Sequence, residues 1–287
     1  SFTSYEEVRP WAPVIMYRTA IRDRMGAMPP WYVEKDIGVT DGFESDYSLS
    51  DLDLAMIQAW ARNGAPRGNP DDEPPAMAFS SGNDWTLGEP ELVLRSADQT
   101  RPAVGPDWWG DIGLVPTGLT EDRYVKSIEV REVNDIPDDT GTSTVGGRYI
   151  FHHMTDQSGV LSEDGTYIDP EGSVSWPIHE VGRNADVFPD TAGRLLQAGS
   201  ALHLRAAHMH SNGRETTGHL DFGISFFPQG YEPKFSRRGP RTGNGIDLDV
   251  VPDRANQELS NYVVLQEHTK IMAFEPHLHA PGVRMCL

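Results

Sequence analysis

The chemistry open to this chain sits in its histidines. There are ten in 287 residues, and six fall in three tight groups: His152 with His153, His208 with His210, and His277 with His279. On a β-strand, residues i and i+2 point to the same face, so each H-x-H pair can aim two imidazoles at one ion. The adjacent pair is harder to use. A regular strand turns His152 and His153 to opposite faces, so joint ligation needs a bend, a bulge or different ring nitrogens. Imidazole suits copper, zinc, iron and nickel, and without thiolates copper or zinc leads. A single H-x-H is more often a surface or satisfied histidine pair, and a lone motif match is only a hypothesis. Three groups in one chain strengthen the metal reading. His179, His203, His219 and His268 read as ordinary, and His203 is out of phase with His208 and His210 on the same expected strand.

These groups need a scaffold of short strands. Glu91–Leu94, Tyr124–Val130, Arg148–His152, Ala201–His210, Leu220–Phe227 and Asn261–Phe274 carry strand-like patterns between Gly-, Asp-, Asn- and Pro-rich turns. Long loops are expected over Asp135–Gly147 and over residues 158–190. No fixed-period repeat is present, which argues against a propeller or solenoid. The first 68 residues differ. Val8, Trp11, Ile15 and Ile21 have helical spacing, with Pro10 and Pro13 limiting where a helix begins and the Pro pair of MPPW (28–31) ending it. A second helix carries Leu52, Met56, Ile57 and Trp60 on one stripe. Ser48 or Ser50 can cap it, Asp51 and Asp53 suit its first turn, and Asn63-Gly64 stops it. The expected organisation is mainly β. It runs from a small helical part (1–68) through a proline-rich linker (69–84) and a β-sandwich or jelly-roll domain (85–245) to the start of a second such domain (246–287).

Composition narrows the classes. Lys and Arg total 24 against 43 Asp and Glu, a net charge of −19. Such a surface repels phosphate backbones, so nucleic acid is not an expected partner. Cys286 is the sole cysteine, which removes internal disulfides and thiolate metal sites. No apolar run approaches the roughly 20 residues that span a bilayer, and no signal peptide is visible. Both ends read as cuts, so an internal piece of a longer protein is expected.

In this order and β context, HHM (152–154), HMHSNG (208–213) and PHLHAPG (276–282) resemble the copper type II, ascorbate-dependent monooxygenases. That family includes the peptidylglycine α-hydroxylating and dopamine β-monooxygenases. The likeness is greatest to bacterial members fused to a c-type cytochrome domain. It extends over SYEEVRPWA, MPPW, SLSDLDLAMIQAWARNGAPRGN, PDWWG, TGLTEDRYVKSIEV, DVFPDTAGRLLQAGS and FFPQGYEPK, nearly the whole chain. The resemblance implies two copper-binding β-sandwich domains. His152, His153 and His208, with His210 as alternative to His208, would hold the electron-supplying copper. His277 and His279 would hold the copper at which O2 and substrate react. Met28 would be an axial haem ligand, with Met25 the nearby alternative and the haem attachment motif outside this chain.

The implied activity is hydroxylation of an activated C–H bond, with electrons from ascorbate or a cytochrome. The implied location is the periplasm or the cell exterior. Two departures stand out. The family's methionine ligand to the second copper is not reached, and Met285 is too near the H-x-H to replace it. Glu275 stands where the peptide-acting enzyme has a carboxylate-binding arginine, so a C-terminal peptide carboxylate is not an expected substrate. Two other classes fit the same residues: a non-catalytic structural or electron-transfer subunit of a larger redox or membrane-associated complex, and a metal carrier using the histidine groups alone.

Overall fold

The computed structural model describes residues 2, 4–22, 24–31, 33–34, 43, 46–73, 75, 84–136, 148–169, 176, 179–180, 183–236, 250–272 and 282–286. The chain divides into two compact units, Ser80–Val264 and Ser1–Phe79 with Leu265–Leu287.

The larger unit is mainly β. It has two six-stranded antiparallel sheets. One sheet contains β1 (Leu92–Arg95), β2 (Gln99–Arg101), β5 (Arg123–Asn134), β9 (Ala185–Val187), β10 (Arg194–Leu196) and β12 (Thr216–Phe226). The other contains β3 (Trp108–Gly110), β4 (Leu114–Pro116), β6 (Phe151–Leu161), β7 (Tyr167–Ile168), β8 (His179–Glu180) and β11 (Ser200–Met209). The first runs β1-β12-β5-β10, with β2 on β12 and β9 on β5; the second runs β3-β11-β6-β7, with β4 on β11 and β8 on β6.

Alternation sets which side chains meet between the sheets. Leu220, Phe222 and Ile224 of β12, with Ile128 and Val130 of β5, join Phe151 and Met154 of β6 and Leu202, Leu204 and Met209 of β11 in one buried cluster. A shared core between two antiparallel sheets is a β-sandwich-like arrangement. The outer side of β5 and β12 is covered locally. Trp85 lies against Gly223, where a Cβ would come 2.6 Å from the indole. Arg131 stacks on that indole at 4.0 Å, and Glu129 accepts the amides of Thr86 and Leu87.

Two expectations change here. Residues 158–190 are not one loop, because β6 runs on to Leu161 and β7, β8 and β9 follow within that range. Pairing with β11 as far as Ser200↔Val160 extends β6 through residues too polar to announce a strand. Second, the described part of Asn261–Phe274 forms no strand. Val263, Val264 and Leu265 stand in solvent with no described edge beside them, and β-propensity without a partner does not make a strand.

The helical unit contains α1 (Tyr5–Val8), α2 (Ala12–Ile21) and α3 (Asp51–Arg62). Pro10 lies in a 3-10 turn between the first two. Ser50 caps α3 and forms a reciprocal capping box with Asp53. The Tyr5 hydroxyl donates to the Ala65 carbonyl, and Arg22 pairs with Asp51 at 2.6 Å. No residue of α3 is buried, and Leu52 and Met56 of its apolar stripe are exposed. No described helix is long and apolar enough to cross a membrane.

Candidate metal centre

Strands β6 and β11 bring four histidines together. In their antiparallel register His208 faces His153, yet the next pair is Met209 with Phe151. His152 is therefore the extra residue of a β-bulge, and a bulge re-aims the side chain at which it occurs. That resolves the adjacent pair: the ring that a regular strand would send away is turned toward its neighbours. His210 follows two residues after His208, and its amide donates to the Ile150 carbonyl. Ring centroids lie 5.4 Å apart for His152–His153, 4.9 Å for His152–His208, 4.9 Å for His153–His208 and 5.7 Å for His152–His210. An imidazole bound through nitrogen at about 2 Å keeps its centroid about 3 Å from the ion, so two rings sharing an ion sit about 5 Å apart. The cluster has that size.

The surroundings leave particular nitrogens free. His208 Nε2 is 2.9 Å from Asp107 Oδ2, and its Nδ1 is buried without a hydrogen-bond partner. The His210 ring is engaged by a backbone hydrogen bond to Tyr149, and its Nε2 is likewise buried without a partner. Metal-binding histidines have this pattern, with one nitrogen held by a carboxylate or carbonyl and the other presented to the ion. A buried imidazole nitrogen left unpaired costs about 1–3 kcal/mol, which an ion would offset. The indole of Trp109 lies flat on His208, 3.8 Å between centroids at 7°, and meets His153 edge-on at 5.1 Å. Burial holds the His210 imidazole below its usual pKa, and His152 adds to the effect. The hydrogen bond with His208 holds the Asp107 carboxyl below the ordinary carboxylate range. Metal binding uses the neutral imidazole, the form that burial favours for His210.

Size and free nitrogens fit an imidazole-bound copper or zinc; ring orientation does so less well. No three His, Cys, Asp or Glu groups among the described residues converge on one point. The His152 and His208 rings stand at 81° to each other. Shared ligation requires the ring nitrogens to converge on one point, which as placed they do not.

The remaining histidines divide. His203 pairs with Asp111; His219 Nδ1 lies 3.0 Å from Asp98 Oδ1, while its Nε2, 3.5 Å from Asp221 Oδ1, is buried without a hydrogen-bond partner. His268 is in exposed irregular chain, and His179 is on β8. His277 and His279 lie outside the described residues. Met28 is 52% exposed and Met25 is 86% exposed; the Met28 amide donates to the Arg18 carbonyl at the end of α2. No family model, no curated protein and no solved structure matches this chain.

Sequence reasoning passed over Asp107 and Trp109, which contact His208, and Glu132, which accepts the Ile150 and Phe151 amides just before His152. For Asp107 and Trp109 the only signal was the PDWWG segment, legible as a motif but not as a neighbour of His208. Glu132 did leave a readable trace: Ile128, Val130 and Glu132 share one face of β5, and an acid in an apolar alternation marks a buried polar contact.

Proposed function

We propose that this chain is part of a copper-dependent monooxygenase-like protein, in which His152, His153 and His208 form an electron-supplying copper site. His210 is the alternative third ligand. The observation carrying this reading is the bulged β6–β11 pair, which gathers the rings of His153, His208 and His210 around His152 at centroid separations of 4.9–5.7 Å, with two buried nitrogens unpaired. Copper, when bound, would supply one-electron chemistry to an O2-dependent hydroxylation of an activated C–H bond. The chain's own groups would present neutral nitrogens. Asp107 would fix the His208 ring, and Trp109 would shield it from water. The roles of His277 and His279 as the oxygen- and substrate-side ligands, and of Met28 as an axial ligand to a c-type haem, rest on the resemblance. Periplasmic or extracellular placement, and ascorbate or a cytochrome as donor, belong to the same reading.

Copper-to-protein stoichiometry after equilibrium dialysis tests the proposal. The wild-type chain should hold copper at this site, and His152→Ala and His208→Ala should each lose one equivalent. Equal copper in all three would contradict it. A second reading, a non-catalytic structural or electron-transfer subunit, is favoured by the lack of convergence of the rings in their present orientation. It predicts no retained copper.

A further inference from the structure

Two amides precede the histidine pair, and both are tied to the opposite sheet. Glu132 projects from β5, in one sheet, and accepts from the amide of Phe151 at 2.8 Å, where β6 begins in the other. The same carboxylate accepts from the Ile150 amide at 2.9 and 3.1 Å through its two oxygens. The side-chain amide of Asn134, two residues along β5, donates to Glu132 at 2.7 Å and to the Arg148 carbonyl at 2.9 Å. Segment 148–151 is thus held at three points, Arg148, Ile150 and Phe151, by two side chains of the facing sheet. Ile150 links the clamp to the other histidine strand, since its carbonyl accepts from the His210 amide at 3.0 Å. Ile150 and Phe151 are fully buried, so water cannot replace these bonds. The bulge at His152 starts at the next residue.

We propose that Glu132 is the positioning residue of the imidazole cluster: by fixing the Ile150 and Phe151 amides it holds the bulge that turns His152 toward His153, His208 and His210. A carboxylate suits the task because it accepts several amides at once through two oxygens. An apolar residue would fill the space but leave two buried amides unpaired and the strand free to straighten. A straightened β6 would send His152 to the opposite face. The effect on imidazole geometry stands without a metal. The effect on copper affinity rests on the reading proposed above.

The test compares Glu132→Gln, which keeps the shape and one acceptor oxygen, with Glu132→Ala, Asn134→Ala and a control, Ile224→Val, in the core away from the cluster. The metal-free readouts are hydrogen exchange at the Ile150, Phe151 and His210 amides and the nitrogen–proton correlations of the His152 and His153 rings. Exchange should quicken by about tenfold or more in Glu132→Gln, more in Glu132→Ala, with the His152 signals displaced. The control should change neither. Copper(II) affinity should fall by about 10–100-fold in Glu132→Gln, the usual range for a residue that orients ligands without binding the ion, with altered hyperfine splitting. Normal exchange and His152 signals in Glu132→Gln, or changes no greater than in the control, would overturn the proposal. If the wild-type chain binds no copper, the copper reading fails while the metal-free readouts still decide the role of Glu132. If Glu132→Ala does not fold, Glu132→Gln and Asn134→Ala decide it.

Discussion

His208 shows how much of the site is decided by the atoms around one ring. Asp107 takes Nε2 and Trp109 covers the face, leaving Nδ1 as the nitrogen available to an ion. The third ligand is then open to experiment. His208→Ala should weaken copper(II) binding by about 10²-fold or more, beyond the effect of losing an orienting residue alone, while His210→Ala should weaken it by less than tenfold. Isothermal titration measures both, and the reverse order would make His210 the ligand. Trp109 provides an optical reporter. Copper(II) in the cluster should quench the emission of the indole stacked on His208, and Trp109→Phe should remove that part of the quenching. Undiminished quenching in the variant would place the ion elsewhere. His208 and its neighbours were legible as chemistry from residue type and spacing. Asp107 was not, because a 101-residue separation in the chain hides a 2.9 Å contact.

At the scale of elements, β6 carries both the site and an unusual burden. Asp156 is buried on it with one carboxylate oxygen unpaired. Burial pushes this carboxyl from 3.8 up to about 7, opposed by nearby Arg194. The folded state therefore holds a proton that the unfolded chain has already released through the window from about 4 to about 7. Its contribution is fully present below that window and is lost as pH rises through it. Asp156→Asn should flatten this fall in stability, at up to about 1.4 kcal/mol per pH unit. Denaturant unfolding at pH 5 and pH 8 checks it, and an unchanged difference between the two pH values would contradict the assignment. On the neighbouring sheet, Gly223→Val should cost about 1–3 kcal/mol by forcing Trp85 off β12, read as a lower denaturation midpoint. Strands β1, β5, β11 and β12 were readable because their apolar alternation matches the pleat. The C-terminal half of β6 was not. SGVL resembles turn sequence, and only the ladder with β11 makes it a strand. The bulge at His152 was legible only as a requirement: two adjacent ligands demand it, but register is a property of the pair.

For the whole molecule, the −19 net charge bears on the electron donor more than on the fold. A cationic donor protein should reduce the copper-loaded chain more slowly as ionic strength rises from about 10 to about 200 mM. An anionic donor such as ascorbate should do so faster, because salt screens attraction in one case and repulsion in the other. Stopped-flow reduction rates read the sign directly; a salt-independent rate for both would mean that the acidic surface plays no part in the encounter. The two-unit division has a similar physical root. The β unit buries a continuous core between its sheets, whereas the 3-10 turn before α2, α2 itself and α3 leave Trp11, Tyr17, Leu52 and Met56 exposed. Patterning changes from helical to strand-like after residue 68, but the exposure of the α3 stripe was not deducible from its periodicity.

The most direct measurement is anomalous scattering at the copper edge from crystals of the copper-loaded chain. The account predicts a peak about 2 Å from nitrogens of His152, His153 and one of His208 or His210, beneath the Trp109 indole and with the bulge at His152 intact. A peak remote from all four rings, or none at full loading, would contradict it.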